Sequence, residues 1–269
     1  MTSSGILLFA YSTNNIDYLK IAEYCANNAK KWLNLPVTLI TDIDNSSKSF
    51  DRVILVPNKK SSERNFQDKK QTSKWRNFGR SRAYELSPYD QTLLLDVDYI
   101  ISSNQLTKIM QSSQEFLCYD SAIECSGTKG SNKQFGKTHM PMFWATVIMF
   151  KKTKKCEMIF DIMKIIEENY SHYADLFGFS KTPFRNDYAL SIALSIVSGH
   201  LVTEEHSIPW PMINVNPEHE ISRIDNNKFQ VLYRKSMRGR EKTCRNTFLN
   251  QDLHIMGKSD LERIVEADR

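Results

Sequence analysis

Apolar and polar residues follow one another along the first 60 positions in a pattern typical of a parallel sheet with crossover helices. The apolar run at residues 6–11 predicts a strand that is buried on both faces. A polar turn follows, and apolar residues then recur with helical spacing over 16–33 until Pro36 ends the helix. Residues 37–40 and 53–56 predict two further strands. Strand, helix and strand at this spacing predict a right-handed βαβ unit and therefore an α/β fold.

The pattern continues through the rest of the chain with alternating helices and strands. Helices are predicted over residues 72–86, 104–113, 154–169 and 185–197, and strands over 92–95, 116–119 and 142–150. Residues 234–242 are basic and lack apolar periodicity, so a mobile loop is predicted there. Neither an internal repeat nor a linker is apparent, and residues 1–269 are therefore predicted to form a single domain.

The composition is that of a soluble globular protein, with 41% hydrophobic and 25% charged residues among 269. The 36 basic and 31 acidic residues give a formal net charge of +5, which favours anionic partners such as nucleotides, phosphates or DNA. Five scattered cysteines without a C-x-x-C pair predict neither a disulfide framework nor a zinc ribbon. We find no signal peptide and no stretch of the roughly 20 apolar residues that a membrane span needs, so the cytoplasm is the expected location.

Asp96 and Asp98 are the strongest chemical signal in the sequence, because both directly follow a buried strand. Ligands of open α/β sheets bind at this edge. Side chains alternate, so both carboxylates should point the same way while Val97 turns into the core. Two converging carboxylates repel each other unless a cation lies between them, and oxygen ligands of this kind suit Mg²⁺ or Mn²⁺ bound with a diphosphate. The alternative interpretation is a solvated turn, since Asp-x-Asp tripeptides are common.

Together with other segments, these residues resemble the GT-A glycosyltransferases of the glycogenin and lipopolysaccharide galactosyltransferase type. The segments that carry the resemblance are Ala10-Tyr11-Ser12-Thr13 with Tyr18, Arg80, Asp96-Val97-Asp98, Asn186-Asp187-Tyr188 and His254-Ile255-Met256-Gly257-Lys258. They occur in family order and span residues 6–258. The resemblance implies a GT-A, Rossmann-like fold with a mixed, mainly parallel sheet flanked by helices. It also implies a nucleotide-binding half at 1–100 and an acceptor half at 101–269.

The resemblance further implies a metal-dependent transfer of a sugar from a nucleotide-sugar donor, with retention at the anomeric carbon. Asp96, Asp98 and His254 would hold Mn²⁺ or Mg²⁺, and Asp187 would be the catalytic carboxylate. The candidate donor-binding residues are Ala10, Tyr11, Ser12, Thr13, Tyr18, Asp42, Lys74, Arg80, Asp96, Val97, Asp98, Gly257 and Lys258. The chain departs from the family pattern at Trp144-Ala145-Thr146 and at Tyr188, where the family usually has Asn-(Ser/Ala)-Gly and Gln.

Structural explanations compete with several of these roles. Asp187 could complement the dipole at the start of a helix, and Asp42 could cap a helix or a turn. For the five histidines other than His254 a structural or surface role is predicted.

The acceptor is predicted from two basic stretches, residues 59–82 and 234–245. In general character the chain is similar to the DNA-modifying glycosyltransferases of tailed phages. This resemblance implies duplex DNA with 5-hydroxymethylcytosine as the acceptor, contacted by Trp144, Arg238 and Arg240, in the host cytoplasm if the protein is phage-encoded. The alternatives are a polysaccharide or protein acceptor, a nucleotidyltransferase, and a catalytically dead binding protein. A nucleotidyltransferase usually has a glycine-rich loop after its first strand, and the segment after Tyr11 has no glycine.

Overall fold

The structure is a computed structural model that describes residues 3–13, 15–44, 47–57, 62–66, 71–76, 78–127, 140–179, 182–201, 205–237 and 240–267. For Ser62–Phe66, Gln71–Trp75 and Met237 the description covers the backbone only. The strands are β1 Ser4–Phe9, β2 Val37–Thr41, β3 Arg52–Leu55, β4 Ser62–Phe66, β5 Gln71–Trp75, β6 Gln91–Leu95, β7 Tyr99–Ile100, β8 Phe116–Tyr119, β9 Ala122–Glu124, β10 Trp144–Lys151, β11 Met212–Val215, β12 Glu220–Asp225, β13 Lys228–Met237, β14 Arg240–Leu249 and β15 Leu253–Ile255. The helices are α1 Tyr18–Leu33, α2 Ala83–Leu86, α3 Thr107–Met110, α4 Lys154–Glu168, α5 Tyr170–Leu176, α6 Asn186–Val197 and α7 Lys258–Ala267.

The central six-stranded sheet has the strand order β3-β2-β1-β6-β10-β8. Strands β3, β2, β1 and β6 are parallel, and β10 runs antiparallel to both β6 and β8. Successive residues of β1 face opposite layers: Ile6 belongs to the core on the side of α1 and α7, and Leu7 to the core on the side of α4 and α6. The predicted α/β class with a mixed, mainly parallel sheet flanked by helices is therefore confirmed.

A second sheet brings a late segment of the chain next to the end of β6. Its strand order is β7-β15-β11-β9, and β15 pairs with β7 so that His254 lies opposite Tyr99. The backbone N–H of Ile255 donates to the carbonyl of Asp98 at 2.9 Å. Because β7 directly follows Asp98, this pairing fixes His254 beside the predicted Asp-x-Asp motif.

The mobile loop predicted at residues 234–242 is wrong, because strands of the third sheet extend into this segment. Residues 234–237 and 240–242 belong to the distal part of a hairpin between β13 and β14, and residues 238 and 239 lie outside the described residues. The order of this sheet is β12-β13-β14. In the proximal part Phe229, Val231 and Tyr233 are buried at every second position and anchor β13 to the core. The distal residues are exposed on both sides of the hairpin, so no apolar periodicity marks the strands there, and their pattern resembled a loop.

Two predicted helices are also wrong in extent. Residues 72–86 comprise β5, a 3₁₀ turn at Arg80–Arg82 and the four-residue helix α2, because Gly79 adopts a positive φ of 90° and interrupts any continuous helix. The predicted helix over 104–113 is shortened to α3. The predicted strands and the two long helices near 154–169 and 185–197 are confirmed within a few residues.

In the described part of the chain, no helix combines the length and apolar character needed to cross a bilayer. The single domain over residues 1–269 stays a prediction.

Asp252 is a buried carboxylate that should make stability depend on pH. Burial raises its pKa from 3.8 to about 6, although Ser102 and Ser103 donate hydrogen bonds to it. A raised pKa in the folded state contributes stability below the unfolded pKa, and this is lost as pH rises through about 6. Relative to Asp252→Asn, the wild type should therefore lose about 2 kcal/mol of unfolding free energy between pH 4 and 7. Urea unfolding at several pH values measures the difference.

The matched control is Asp161→Asn, which removes an exposed carboxylate from α4. Its unfolding free energy should run parallel to that of the wild type. A parallel course for Asp252→Asn as well would contradict the assigned pKa.

Candidate active site

A cavity of about 320 Å³ opens at the carboxyl ends of the parallel strands. The residues that line the cavity are Phe9, Tyr11, Tyr18, Arg76, Arg80, Asp96, Val97, Asp98, Trp144, Ala145, Thr146, Arg185, Asn186, Asp187, Asn216, Pro217, Glu218, His254, Met256 and Lys258. The position agrees with the general rule that ligands of open α/β sheets bind outside the carboxyl edge. The volume falls in the lower range for small-molecule sites.

Asp96, Asp98 and His254 form a compact group of potential metal ligands in this pocket. One ligand atom from each lies within 4.8 Å of the others. Nε2 of His254 is 3.7 Å from Oδ1 of Asp98, and both side chains are largely buried. Val97 is buried in the core between the two aspartates, as the alternation predicts. Two carboxylates and one imidazole are a suitable donor set for Mn²⁺ and an acceptable one for Mg²⁺.

Each aspartate also has a cationic partner. Arg80, which is 2% exposed, donates from Nη1 to Oδ1 of Asp96. Lys258 donates from Nζ to Oδ2 of Asp98. Burial raises the pKa of Asp98, but neighbouring groups, above all the Lys258 ammonium, outweigh burial and hold that pKa well below its usual range. Asp98 is therefore a carboxylate at any physiological pH, as a metal ligand must be.

The backbone of Ala145 forms hydrogen bonds with two site residues, Arg80 and Asp187. The register between β10 and β8 shifts between Trp144 and Ile148, which leaves Ala145 outside that ladder. Its carbonyl accepts from Nη2 of Arg80 at 2.7 Å, and its N–H donates to Oδ1 of Asp187 at 2.9 Å. The other oxygen of Asp187 accepts from Nε and Nη2 of Arg185 at 2.9 and 2.6 Å. Both carboxylate oxygens of Asp187 are thus held by donors within the protein.

Aromatic side chains also line the pocket. Tyr11 and Tyr18 line it, and burial raises the pKa of Tyr11 to about 12, so its hydroxyl stays protonated. Arg76 lies 5.9 Å from the centre of the Tyr11 ring and donates to the carbonyl of Ser12 at 3.1 Å. It also pairs with Asp42 at 2.5 Å. Tyrosine rings, a guanidinium and a carboxylate are groups that can recognise a nucleobase and a ribose.

The sequence-predicted residues divide into those that line the pocket and those that support it. Tyr11, Tyr18, Arg80, Asp96, Val97, Asp98, Trp144, Asp187, His254 and Lys258 line the cavity. Ser12 and Thr13 instead accept backbone N–H groups at the start of α1, and Asp42 reaches the pocket through Arg76. Ala10 is buried in β-sheet packing, and Gly257 packs against Pro217.

Three basic residues predicted for binding remain, and Arg240 is the one whose side chain lies in the described part of the chain. Arg240 is exposed on the β13–β14 hairpin and does not line the pocket. The side chain of Lys74 and the whole of Arg238 lie outside the described residues.

Sequence reasoning missed Arg76, Arg185 and Asn214. Arg76 is one of many basic residues in its segment, so nothing singled it out. Arg185 precedes Asp187 by two positions at the start of a helix, and this opposite-charge pair was an available signal. Asn214 interrupts an otherwise apolar strand, which is a signal of a buried amide with a defined partner.

No known protein family and no curated protein matches the chain by sequence. Solved structures that are similar to it include the glycosyltransferase GlyE of Streptococcus pneumoniae TIGR4, with 13% identity, 71% of this chain and 43% of that chain covered, and a TM-score of 0.44. The galactosyltransferase LgtC, solved with donor and acceptor sugar analogues, has 11% identity, 70% of both chains covered and a TM-score of 0.44.

A mannosyltransferase from Pyrobaculum calidifontis, solved with GDP-Man and Mn²⁺, has 11% identity, 80% of this chain and 56% of that chain covered, and a TM-score of 0.38. The chain spans less than half of the length of the GlyE structures. The activities in these names are those of the similar proteins.

The buried Arg80–Asp96 pair leads to a stability prediction. Asp96→Asn keeps an oxygen acceptor but leaves the buried guanidinium without its anion, so it should cost about 3 kcal/mol of unfolding free energy. Adding Arg80→Met removes the uncompensated charge and should recover at least half of that loss. Urea unfolding followed by circular dichroism measures the wild type, the two single variants and the double variant. Losses that simply add in the double variant would contradict the pairing.

Proposed function

We propose that this protein is a metal-dependent glycosyltransferase that moves a sugar from a nucleotide-sugar donor to an acceptor. The observation that supports this function most directly is the group of Asp96, Asp98 and His254 in a pocket that Tyr11 and Tyr18 also line. A nucleotide sugar offers matching groups, because its diphosphate lies between an aromatic base and a sugar. The base would lie near Tyr11 and Tyr18, and the diphosphate near the aspartates.

The residues at the metal end fit a divalent cation. Asp96 and Asp98 offer carboxylate oxygens, and His254 offers Nε2 on the side that faces Asp98. When bound, the ion would neutralise the negative charge that develops on the diphosphate leaving group. Lys258 reaches the same region and adds positive charge there, while Arg80 holds Asp96 in place through a hydrogen bond.

The charges that line the pocket support a diphosphate ligand. Among the described lining residues the cations are Arg76, Arg80, Arg185 and Lys258, and the anions are Asp96, Asp98, Asp187 and Glu218. The two sets balance, so a divalent cation would bring an excess of two positive charges. The diphosphate of a nucleotide sugar carries two negative charges and restores neutrality, which favours joint binding of metal and donor.

Asp187 is the proposed catalytic carboxylate. Arg185 and the N–H of Ala145 fix its position at the pocket wall. Because both oxygens already accept hydrogen bonds, we propose that Asp187 acts through its negative charge, which stabilises a cationic sugar-like transition state. The expected outcome is retention, which the anomeric proton signal of the product would report.

Donor turnover tests the proposed activity. One nucleotide sugar from a panel of UDP-, GDP-, TDP- and ADP-sugars should be hydrolysed slowly in the presence of Mn²⁺, and EDTA should stop the reaction. Asp98→Asn should abolish turnover. Asp187→Asn should lower turnover by about 10²-fold or more while nucleoside-diphosphate affinity changes little, since its role appears mainly in the transition state.

The control for these substitutions is Asp120→Asn, a carboxylate outside the pocket that accepts a hydrogen bond from Ser207. It should turn over donor at the wild-type rate. Hydrolysis of none of the nucleotide sugars, with a folded wild type, would overturn the enzymatic proposal and favour a catalytically dead binding protein. Release of pyrophosphate from a nucleoside triphosphate would favour a nucleotidyltransferase instead.

For the acceptor we propose duplex DNA with a hydroxymethylated base. Five basic side chains are exposed on the β13–β14 hairpin: Arg234, Lys235, Arg240, Lys242 and Arg245. Lys235 lies directly opposite Lys242, a like-charge pair that costs free energy unless an anion lies nearby. The competing explanation is that these charges protect β14, which forms the edge of its sheet, from pairing with other chains.

The hairpin is joined to the pocket wall. Asn246 donates to the carbonyl of Cys125 at 2.6 Å, and the ring of His219 lies 6.0 Å from that of Tyr233. His219 directly follows Glu218, which lines the pocket. A duplex held by the hairpin would therefore lie beside the pocket opening. A polysaccharide or a protein is the alternative acceptor.

Salt-dependent DNA binding tests this acceptor. Lys235→Gln with Lys242→Gln should weaken binding to any duplex and flatten the plot of log affinity against log salt by about two units. A matched double variant, Lys154→Gln with Lys164→Gln on α4, removes the same charge and should bind like the wild type. Equal effects of the two doubles, or no binding to hydroxymethylcytosine DNA at low salt, would remove DNA as the acceptor.

A further inference from the structure

Asn214 and His254 lie side by side on neighbouring parallel strands of the four-stranded sheet. In the register of β11 and β15 the two residues are direct partners. Both are buried, with 2% and 7% of their surface exposed. Oδ1 of Asn214 is 3.0 Å from Nδ1 of His254, while Nε2 on the other side of the ring faces Asp98. The imidazole is thus held between an amide and a candidate metal ligand.

The chemistry of the amide oxygen fixes the proton on the ring. An amide oxygen only accepts hydrogen bonds, so Nδ1 of His254 must carry a proton to bond with it. A neutral imidazole has one N–H, and Nε2 therefore keeps its lone pair. A metal ion needs this lone pair, and ligating histidines commonly bond through their other nitrogen to a fixed acceptor.

The backbone of Asn214 is engaged separately, because its carbonyl accepts from the N–H of Cys125 at 2.8 Å. Its amide side chain lies in the otherwise apolar strand Met212–Val215, where a buried polar group is costly unless it is hydrogen-bonded. The bond to His254 accounts for this amide. Ile or Val would suit the strand equally well at this position, so the bond to the imidazole, and not the sheet, explains the polar side chain.

We propose that Asn214 is a positioning residue that holds His254 in the Nδ1–H tautomer and directs Nε2 toward Asp96 and Asp98. The inference rests on the proposed metal-dependent function. It extends that function by assigning the state of the third ligand to a residue outside the pocket lining. Two experiments separate this role from the function itself.

The first experiment measures the tautomer in the metal-free protein. Long-range ¹H–¹⁵N correlation spectra of the histidine rings distinguish Nδ1–H from Nε2–H, and His254→Ala identifies the relevant signals. The wild type and Asn214→Asp should show Nδ1–H, because both keep an oxygen acceptor. Asn214→Leu should shift His254 toward Nε2–H. An Nε2–H ring in the wild type would overturn the proposal, whatever the protein catalyses.

The second experiment measures affinity for Mn²⁺ alone, from the electron paramagnetic resonance signal of the free ion. Asn214→Leu should weaken binding about 10- to 100-fold, and Asn214→Asp should keep it within a few-fold of the wild type. In the His254→Ala background, Asn214→Leu should have no further effect. An unchanged affinity for Asn214→Leu, or the same loss in both backgrounds, would overturn the role of Asn214.

Asn28→Leu is the matched control, because Asn28 is a second buried amide, 7% exposed, that donates to the carbonyl of Tyr24 within α1. It should leave Mn²⁺ affinity unchanged even if it lowers stability. A loss equal to that of Asn214→Leu would assign the effect to general destabilisation and overturn the proposal. A wild type that binds no Mn²⁺ would overturn the proposed metal site, and the tautomer spectra would still decide the role of Asn214.

Discussion

A single buried guanidinium organises the candidate active site. Arg80 is 2% exposed, so its charge must be matched within the protein, and Asp96 matches it. The same side chain bonds the carbonyl of Ala145, whose N–H holds Asp187. The ends of β6 and β10 and the start of α6 are therefore fixed relative to one another. This arrangement costs free energy, because burial disfavours the charged guanidinium and lowers the pKa of Arg80 to about 10.

The parts of the fold that could be predicted from the sequence are those in which burial controls the pattern. The run before Asp96 is buried on both faces, and the helices α4 and α6 pack along one side of the sheet. The β13–β14 hairpin was missed because only its proximal half is buried, and its exposed half has no apolar side to mark the strand. The 3₁₀ turn at Arg80 depends on the backbone of Gly79, which residue spacing does not reveal.

Asp96, Asp98 and His254, which the sequence predicts as metal ligands, lie together in one pocket, and their role stays a prediction; several of their partners were missed. A strand-end carboxylate pair is a local signal. The partnership of Asn214 with His254 depends instead on the register of two strands 40 positions apart. Register is set by packing of the whole sheet, so a sequence indicates that Asn214 needs a partner without indicating which one.

The separation of the site residues along the chain also bears on biosynthesis. Lys258 and Asp98 meet across 160 positions, and β15 carries His254 in the last part of the described chain. A ribosome-bound chain that has completed the central sheet would still lack two of the groups around Asp98. The nascent protein would therefore have an intact scaffold but an incomplete candidate metal site until β15 has left the exit tunnel and paired with β7 and β11.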